Sequence, residues 1–196
     1  VEDKAWGWDN LLKHFCELEG NQRLNNDFHG SEGPLKVSDL HHVVKGTDLF
    51  LKTMQELGIP YNNDFNDGNQ YGVGLMQHTI DYSRRCSAVD AFINPIRKNK
   101  NLNIKLKTSL TKIIIENNKA IGVEVFENKK NKKYFVNNEV ILTAGSYITP
   151  KLLMLSGIGD EKELKKHNII TLNNLKGVGK NLQDHHEVPY VARTKK

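Results

Sequence analysis

The chain has 196 residues, 28 Lys and Arg against 23 Asp and Glu, and 38% hydrophobic residues. At that length folding buries about 70% of the chain's accessible surface, so a cored domain is expected, and whole-chain disorder or a collagen-like fibre is excluded. No apolar run approaches the ~18 to 20 residues of a bilayer span, and a formal charge of +5 is mild for a nucleic-acid binder.

In chain order, Trp6, Trp8, Leu11, Leu12, Phe15 and Leu18 recur at helical spacing, with Asp9 as the cap and Gly20 as the stop. Residues 21–33 are polar and Gly-rich and read as loop, followed by a short extended piece over 34–37. Residues 48–57 repeat the helical spacing, with Gly58 past the end and Pro60 preventing continuation. The Asn/Asp/Gly-rich stretch 62–74 is long for a connection inside a domain, a length usually reserved for function.

From Ser87 the texture changes. Ser87 is an N-cap for a helix over 88–98 that Pro95 ends or kinks. Residues 104–106, 111–115, 121–126 and 134–136 are β-rich and read as a meander, with the run from Asn128 to Lys133 as a solvated lysine tip. Residues 139–143 read as one apolar strand buried on both faces. That strand runs into Gly145, and a new helix is expected over 151–155 after Pro150. A strand-like run closes the chain at 188–191. Because residue 1 is Val and the chain stops just after that run, it is expected to be an internal segment of a longer protein.

Cys16 and Cys86 stand in no metal or redox spacing, so a reduced, cytoplasmic protein without a metal site is expected, peripheral membrane association being left open. His41, His42 and His186 have no ligand partners at metal spacing. Gly72-Val73-Gly74, Gly157-Ile158-Gly159 and Gly177-Val178-Gly179 are three Gly-x-Gly pairs, none extended to the full dinucleotide fingerprint.

The run Gly145-Ser146-Tyr147-Ile148-Thr149-Pro150-Lys151-Leu152-Leu153-Met154-Leu155-Ser156-Gly157-Ile158-Gly159 resembles the second signature of the glucose-methanol-choline (GMC) family of FAD-dependent oxidoreductases. Gly177-Val178-Gly179 with Asn181-Leu182-Gln183-Asp184-His185 is similar to a loop of that family. Trp6-Gly7-Trp8-Asp9, His29-Gly30 with Gly33-Pro34-Leu35, Gly58-Ile59-Pro60, Gln77 with Thr79, and Arg85-Cys86-Ser87-Ala88 resemble its choline dehydrogenase-like branch. Ser83 and Ile148 depart from the family pattern. The flavin fingerprint that opens family members and the histidine base near their end are not in this sequence.

The resemblance implies an α/β fold: part of a Rossmann-like FAD-binding domain with a β-meander, plus parts of a substrate-binding domain. It assigns residues 1–84 to the substrate domain and the loops covering FAD, 85–163 to the FAD domain, and 164–196 to the connection back. It implies FAD as cofactor, with Leu110 contacting the adenine portion through its main chain and Ala144 and Gly145 lying against the flavin. Gln77, Thr79, Ser146, Asp184 and His185 become substrate-side candidates, and no residue of this chain is the general base. The implied reaction moves a hydride from the carbinol carbon of a choline-like alcohol to the flavin, the electron acceptor being unspecified. This chain alone is expected to be inactive. The alternative is a non-catalytic binding module retaining the scaffold.

Overall fold

The computed structural model describes residues 3–188; residues 189–191 of the expected final strand lie outside the described residues. Contacts divide the chain into two units, Val1–Asn103 and Ile104–Lys196, each of mixed helix and strand.

In the first unit the Asp3 side chain accepts the Ala5 amide and starts a tight turn, Lys4–Trp6, before α1, Trp8–Leu18. Gly7, not Asp9, is the N-cap; Asp9 lies in the first turn, where its charge still complements the helix dipole. The chain leaves α1 directly into β1, Glu19–Asn21, which pairs in parallel with β2, Leu35–Val37. Gly20 is therefore inside a strand and not a helix stop. The connection between the two strands folds back on β1: the Asn21 amide donates to the Gly30 carbonyl and the Gly33 amide to the Glu19 carbonyl, both at 2.8 Å. A Cβ on Gly30 would overlap the Cys16 carbonyl, which is the steric reason that glycine follows His29.

Helix α2, Thr47–Glu56, ends as the spacing predicts, with Gly58 at φ 89°. The loop beyond it closes on itself through Asn62 N to Val73 O and Val73 N to Pro60 O, both 2.9 Å. Within it the side chains of Asn62, Asp64, Asp67 and Asn69 each accept the amide two residues on, the local bonding that suits Asn and Asp to turns. A two-residue-strand hairpin follows, β3 (Ile80–Asp81) with β4 (Arg84–Arg85). The helix expected over 88–98 is a wide turn, Val89–Ile93, followed by a tight one, Asn94–Ile96. Pro95 has no amide to continue a regular ladder. Ala88, not Ser87, is the N-cap; Ser87 instead holds the first turn, its hydroxyl donating to Asp90 Oδ2 at 2.6 Å and accepting the Asp90 amide at 3.3 Å, and these Ser87 hydrogen bonds hold the Asp90 carboxyl below its ordinary range.

The second unit is built on an antiparallel meander, β5 (Thr108–Glu116), β6 (Lys119–Glu127) and β7 (Lys130–Phe135). Its turns are two residues each, Asn117-Asn118 and Asn128-Lys129, all at φ between 49° and 62°, the geometry whose twist matches flanking strands. The lysine tip is thus shorter than expected: Lys130, Lys132 and Lys133 belong to β7. Lys132 reaches Glu127 at 2.8 Å, where the Tyr134 hydroxyl also donates. Residues 104–106 are not in the ladder.

Residues 139–143 also differ from expectation. Val140 and Leu142 line a cavity together with Ile113, Ile115 and Leu153, but no strand among the described residues pairs with 139–143, and Ile141 is 74% exposed. An apolar run becomes a strand only where a neighbour supplies the ladder. Helix α3, Gly145–Leu155, starts six residues earlier than the spacing indicates and carries Pro150 inside it, so the Ser146 carbonyl receives no amide from position 150. The remainder is β8 (Ile158–Gly159), α4 (Glu161–Lys166) and β9 (Asn173–Asn174), with β8 and β9 parallel. Ser156 ties the end of α3 to β5, donating to Leu152 O at 2.6 Å and accepting the Ile113 amide at 2.8 Å. Ile113, Val125, Leu152 and Leu164 form the buried core. No helix among the described residues is long and apolar enough to cross a membrane.

Candidate functional site

In the second unit Ala144, Gly145 and Ser146 stand at the start of α3. Gly145 sits at φ 85°, where a side chain is strained, and a Cβ built there meets no atom within 4 Å. The backbone therefore borders open space. The Ala144 amide is accepted by Thr149 Oγ1 at 3.1 Å, so Thr149, which the sequence reading left without a role, fastens the turn. Ala144 supplies no side-chain cap, leaving the positive end of an eleven-residue helix beside the same space. A glycine that leaves room and a helix end left uncapped fit the approach of a phosphate or of a flavin edge.

Ser146 lines a cavity of about 530 Å³ between α3 and residues 179–183, with Tyr147, Pro150 and Met154 as the apolar wall. Gly179, at φ 75°, lets the loop approach Met154, whose Cε would lie 3.3 Å from an added Cβ. Asp184 and His185 follow directly on that wall. They are exposed, and the Asp184 carboxylate accepts the His185 backbone amide at 2.8 Å; among the described residues the two side chains are not bonded to each other. Leu110 lies apart on β5, half-buried opposite Val125, just before a bulge at Thr111 whose hydroxyl donates to the Glu124 carbonyl.

In the first unit Gln77 is fully engaged. Its Oε1 accepts Asn21 Nδ2 at 2.8 Å, while its Nε2 donates to Asn21 Oδ1 at 3.3 Å and Asp39 Oδ1 at 2.8 Å. Thr79 is exposed, with its carbonyl accepting the Cys86 amide. The residues bonded to Gln77, namely Asn21 and Asp39, carried no usable sequence signal, because they come from segments far apart in the chain. Cys86 is buried, its Sγ accepting the Lys36 amide at 3.4 Å. No group of three metal-binding side chains occurs among the described residues.

The GMC oxidoreductase family matches residues 2–187. The chain belongs to that family. It is 39% identical over 186 residues to the alcohol dehydrogenase [acceptor] of Pseudomonas putida, covering 93% of this chain and 34% of that protein. Against human mitochondrial choline dehydrogenase the figures are 35% over 187 residues, 94% and 31%. An FAD-dependent oxidoreductase from Chaetomium thermophilum superposes with a TM-score of 0.85 at 26% identity, covering 93% of this chain and 34% of that one. The chain thus spans about a third of the length of the relatives it matches, and its α/β fold is that of GMC flavin enzymes.

Proposed function

We propose that the protein carrying this chain is an FAD-dependent oxidoreductase acting on the CH–OH group of a choline-like primary or secondary alcohol. The observation that supports it most directly is the Gly145 turn, with its left-handed φ, the open space beside it and the uncapped start of α3, inside a chain that matches the GMC family along 2–187. Residues 85–163 are assigned to the flavin domain, 1–84 to the substrate domain and flavin-covering loops, and 164–196 to the return connection.

When bound, FAD would supply the hydride acceptor at its ring. The chain's own part is positional. Gly145 and Ala144 present bare backbone to the cofactor, and the main chain at Leu110 meets its adenine portion. Ser146 and the wall of residues 179–183 border the cavity on the substrate side, with Asp184 and His185 at its end. Gln77 and Thr79 are assigned to the substrate side as well, Gln77 as a residue held rigid by Asn21 and Asp39. A hydrogen bond from a substrate-side residue to the alcohol oxygen would orient the carbinol carbon and stabilise the developing alkoxide. The proton-accepting base is assigned outside this chain, and no nucleic acid is a partner.

The test uses the full polypeptide that carries this sequence. Gly145→Leu is expected to lower flavin occupancy, read from the visible absorbance of the purified protein. His185→Ala is expected to keep the flavin and lower kcat/KM for alcohols by about 5- to 150-fold, the equivalent of roughly 1 to 3 kcal/mol for one lost hydrogen bond to a buried polar group. Full flavin content in Gly145→Leu, or flavin loss in His185→Ala, would overturn these placements.

A further inference from the structure

The first unit contains a linked run of polar contacts around His29, a residue that the flavin reading does not use. Asp64 Oδ2 lies 3.0 Å from His29 Nε2, and His29 Nδ1 lies 2.9 Å from Glu19 Oε2. Glu19 Oε1 accepts Asn21 Nδ2 at 3.0 Å, and Asn21 is paired with Gln77, which donates to Asp39. Arg23 Nε meets Asp39 at 2.8 Å, and its Nη2 donates to the carbonyl of Asn63, the neighbour of Asp64. The run joins β1, the loop after α2 and the segment leading to β3.

Its charges do not balance with a neutral imidazole. Arg23 answers Asp39, which leaves Glu19 and Asp64 facing opposite edges of one ring. A neutral histidine has a single N–H, so one nitrogen would hold its lone pair against a carboxylate oxygen about 3 Å away. His29 is only 4% exposed, and the low local dielectric makes such a clash costly. Both carboxylates also accept backbone amides: Glu19 that of Gly30 at 3.2 Å, and Asp64 Oδ1 that of Asn66 at 2.9 Å. The Nε2 contact to Asp64 is close, at 3.0 Å, though not aligned as a hydrogen bond.

We propose that His29 is a positioning residue held as an imidazolium between Glu19 and Asp64, a cationic clamp that fixes the 59–74 loop to β1 and, through Glu19 and Asn21, sets the side chain of Gln77. The clamp itself stands on these contacts alone; its bearing on substrate rests on the flavoenzyme reading, through Gln77.

Two measurements on the full polypeptide test it. In long-range proton–nitrogen spectra of the protein labelled with ¹⁵N-histidine, the His29 signals, assigned by their loss in His29→Arg, are expected to show both ring nitrogens protonated at pH 7. One protonated and one bare nitrogen would overturn the proposal. In hydrogen exchange read by mass spectrometry, His29→Gln is expected to speed exchange of amides 62–74 tenfold or more, while His29→Arg, which keeps the cation, stays within about threefold of the parent. Equal rates in Gln and Arg variants, or no change in Gln, would overturn the clamp. Should His29→Gln fail to fold, the spectrum of the parent protein still decides. A colourless purified protein would sink the flavoenzyme reading and leave both of these readouts standing as tests of the clamp.

Discussion

The two units solve the same problem with different chemistry. In Val1–Asn103 the buried residues are mainly polar, with Asn21, His29, Ser38 and Asn62 beside Val73, Cys86 and Ala91; in Ile104–Lys196 they are mainly aliphatic, with Ile113, Val125, Leu152 and Leu164 beside Glu127 and Ser156. Apolar burial is non-directional and tolerates small shifts, whereas a buried amide or imidazole is favourable only while each partner stays in place. The first unit is accordingly organised by bonds between distant segments, and the second by a locally paired meander with helices laid on it.

The contrast can be broken from the aliphatic side first. Leu164 is 1% exposed, and Leu164→Ala removes its contacts and leaves a cavity, which costs about 2 to 5 kcal/mol. Hydrogen exchange should quicken throughout β5 to β7 and α3 and leave the 62–74 loop unchanged; the reverse pattern would show that the units are not organised as described. A smaller effect is expected in the polar unit. Asn62 Nδ2 donates to the Asn69 carbonyl at 2.7 Å and its Oδ1 accepts the Asp64 amide at 2.8 Å. Asn62→Ala should therefore cost about 1 to 3 kcal/mol through partners left unpaired, seen as faster exchange confined to residues 60–74.

Ser156 sharpens the comparison, being a polar device inside the aliphatic unit. Ser156→Ala leaves the Ile113 amide without its acceptor and should cost about 1 to 2 kcal/mol, measured by denaturant unfolding, while Ser156→Gly should cost more because it also loosens the end of α3. The smallest effect concerns pH. The Lys132 ammonium and then the Tyr134 hydroxyl hold the Glu127 carboxyl below its ordinary value of 4.5. A carboxyl depressed in the folded state contributes stability above that ordinary value, and the contribution is lost as pH falls through the depressed one. Glu127→Gln should therefore be less stable than the parent near pH 7 and converge with it in acid; a gap independent of pH would show that the pair does not titrate with folding.

How much was legible in the sequence varies along the chain with the range of the interactions involved. Helices α1 and α2 and the meander announce themselves by apolar period and by Asn-rich turns, all of which act within a few residues. The Gly145 to Gly159 run carried the family because a glycine turn leading into an apolar helix is written contiguously. Gly145 was singled out there; the true start of α3 was not, since Pro150 reads as a first-turn residue until the preceding turn is seen wound and fastened by Thr149. Residues 139–143 show the converse error, an apolar run with the composition of a buried strand but no ladder partner among the described residues.

By itself, then, the sequence determined the class of fold, the order of its main elements and the Gly-Ser-Tyr turn proposed to face the cofactor, because each depends on short-range backbone preference and contiguous motif. Only the tertiary structure decided the parallel pairing of β1 with β2, the saturation of Gln77 by Asn21 and Asp39, and the burial of His29 between Glu19 and Asp64. Glu19, His29 and Asp64 are ten and thirty-five residues apart in turn, so no local spacing relates them, and their meeting depends on loops whose course is set by the bonds they close.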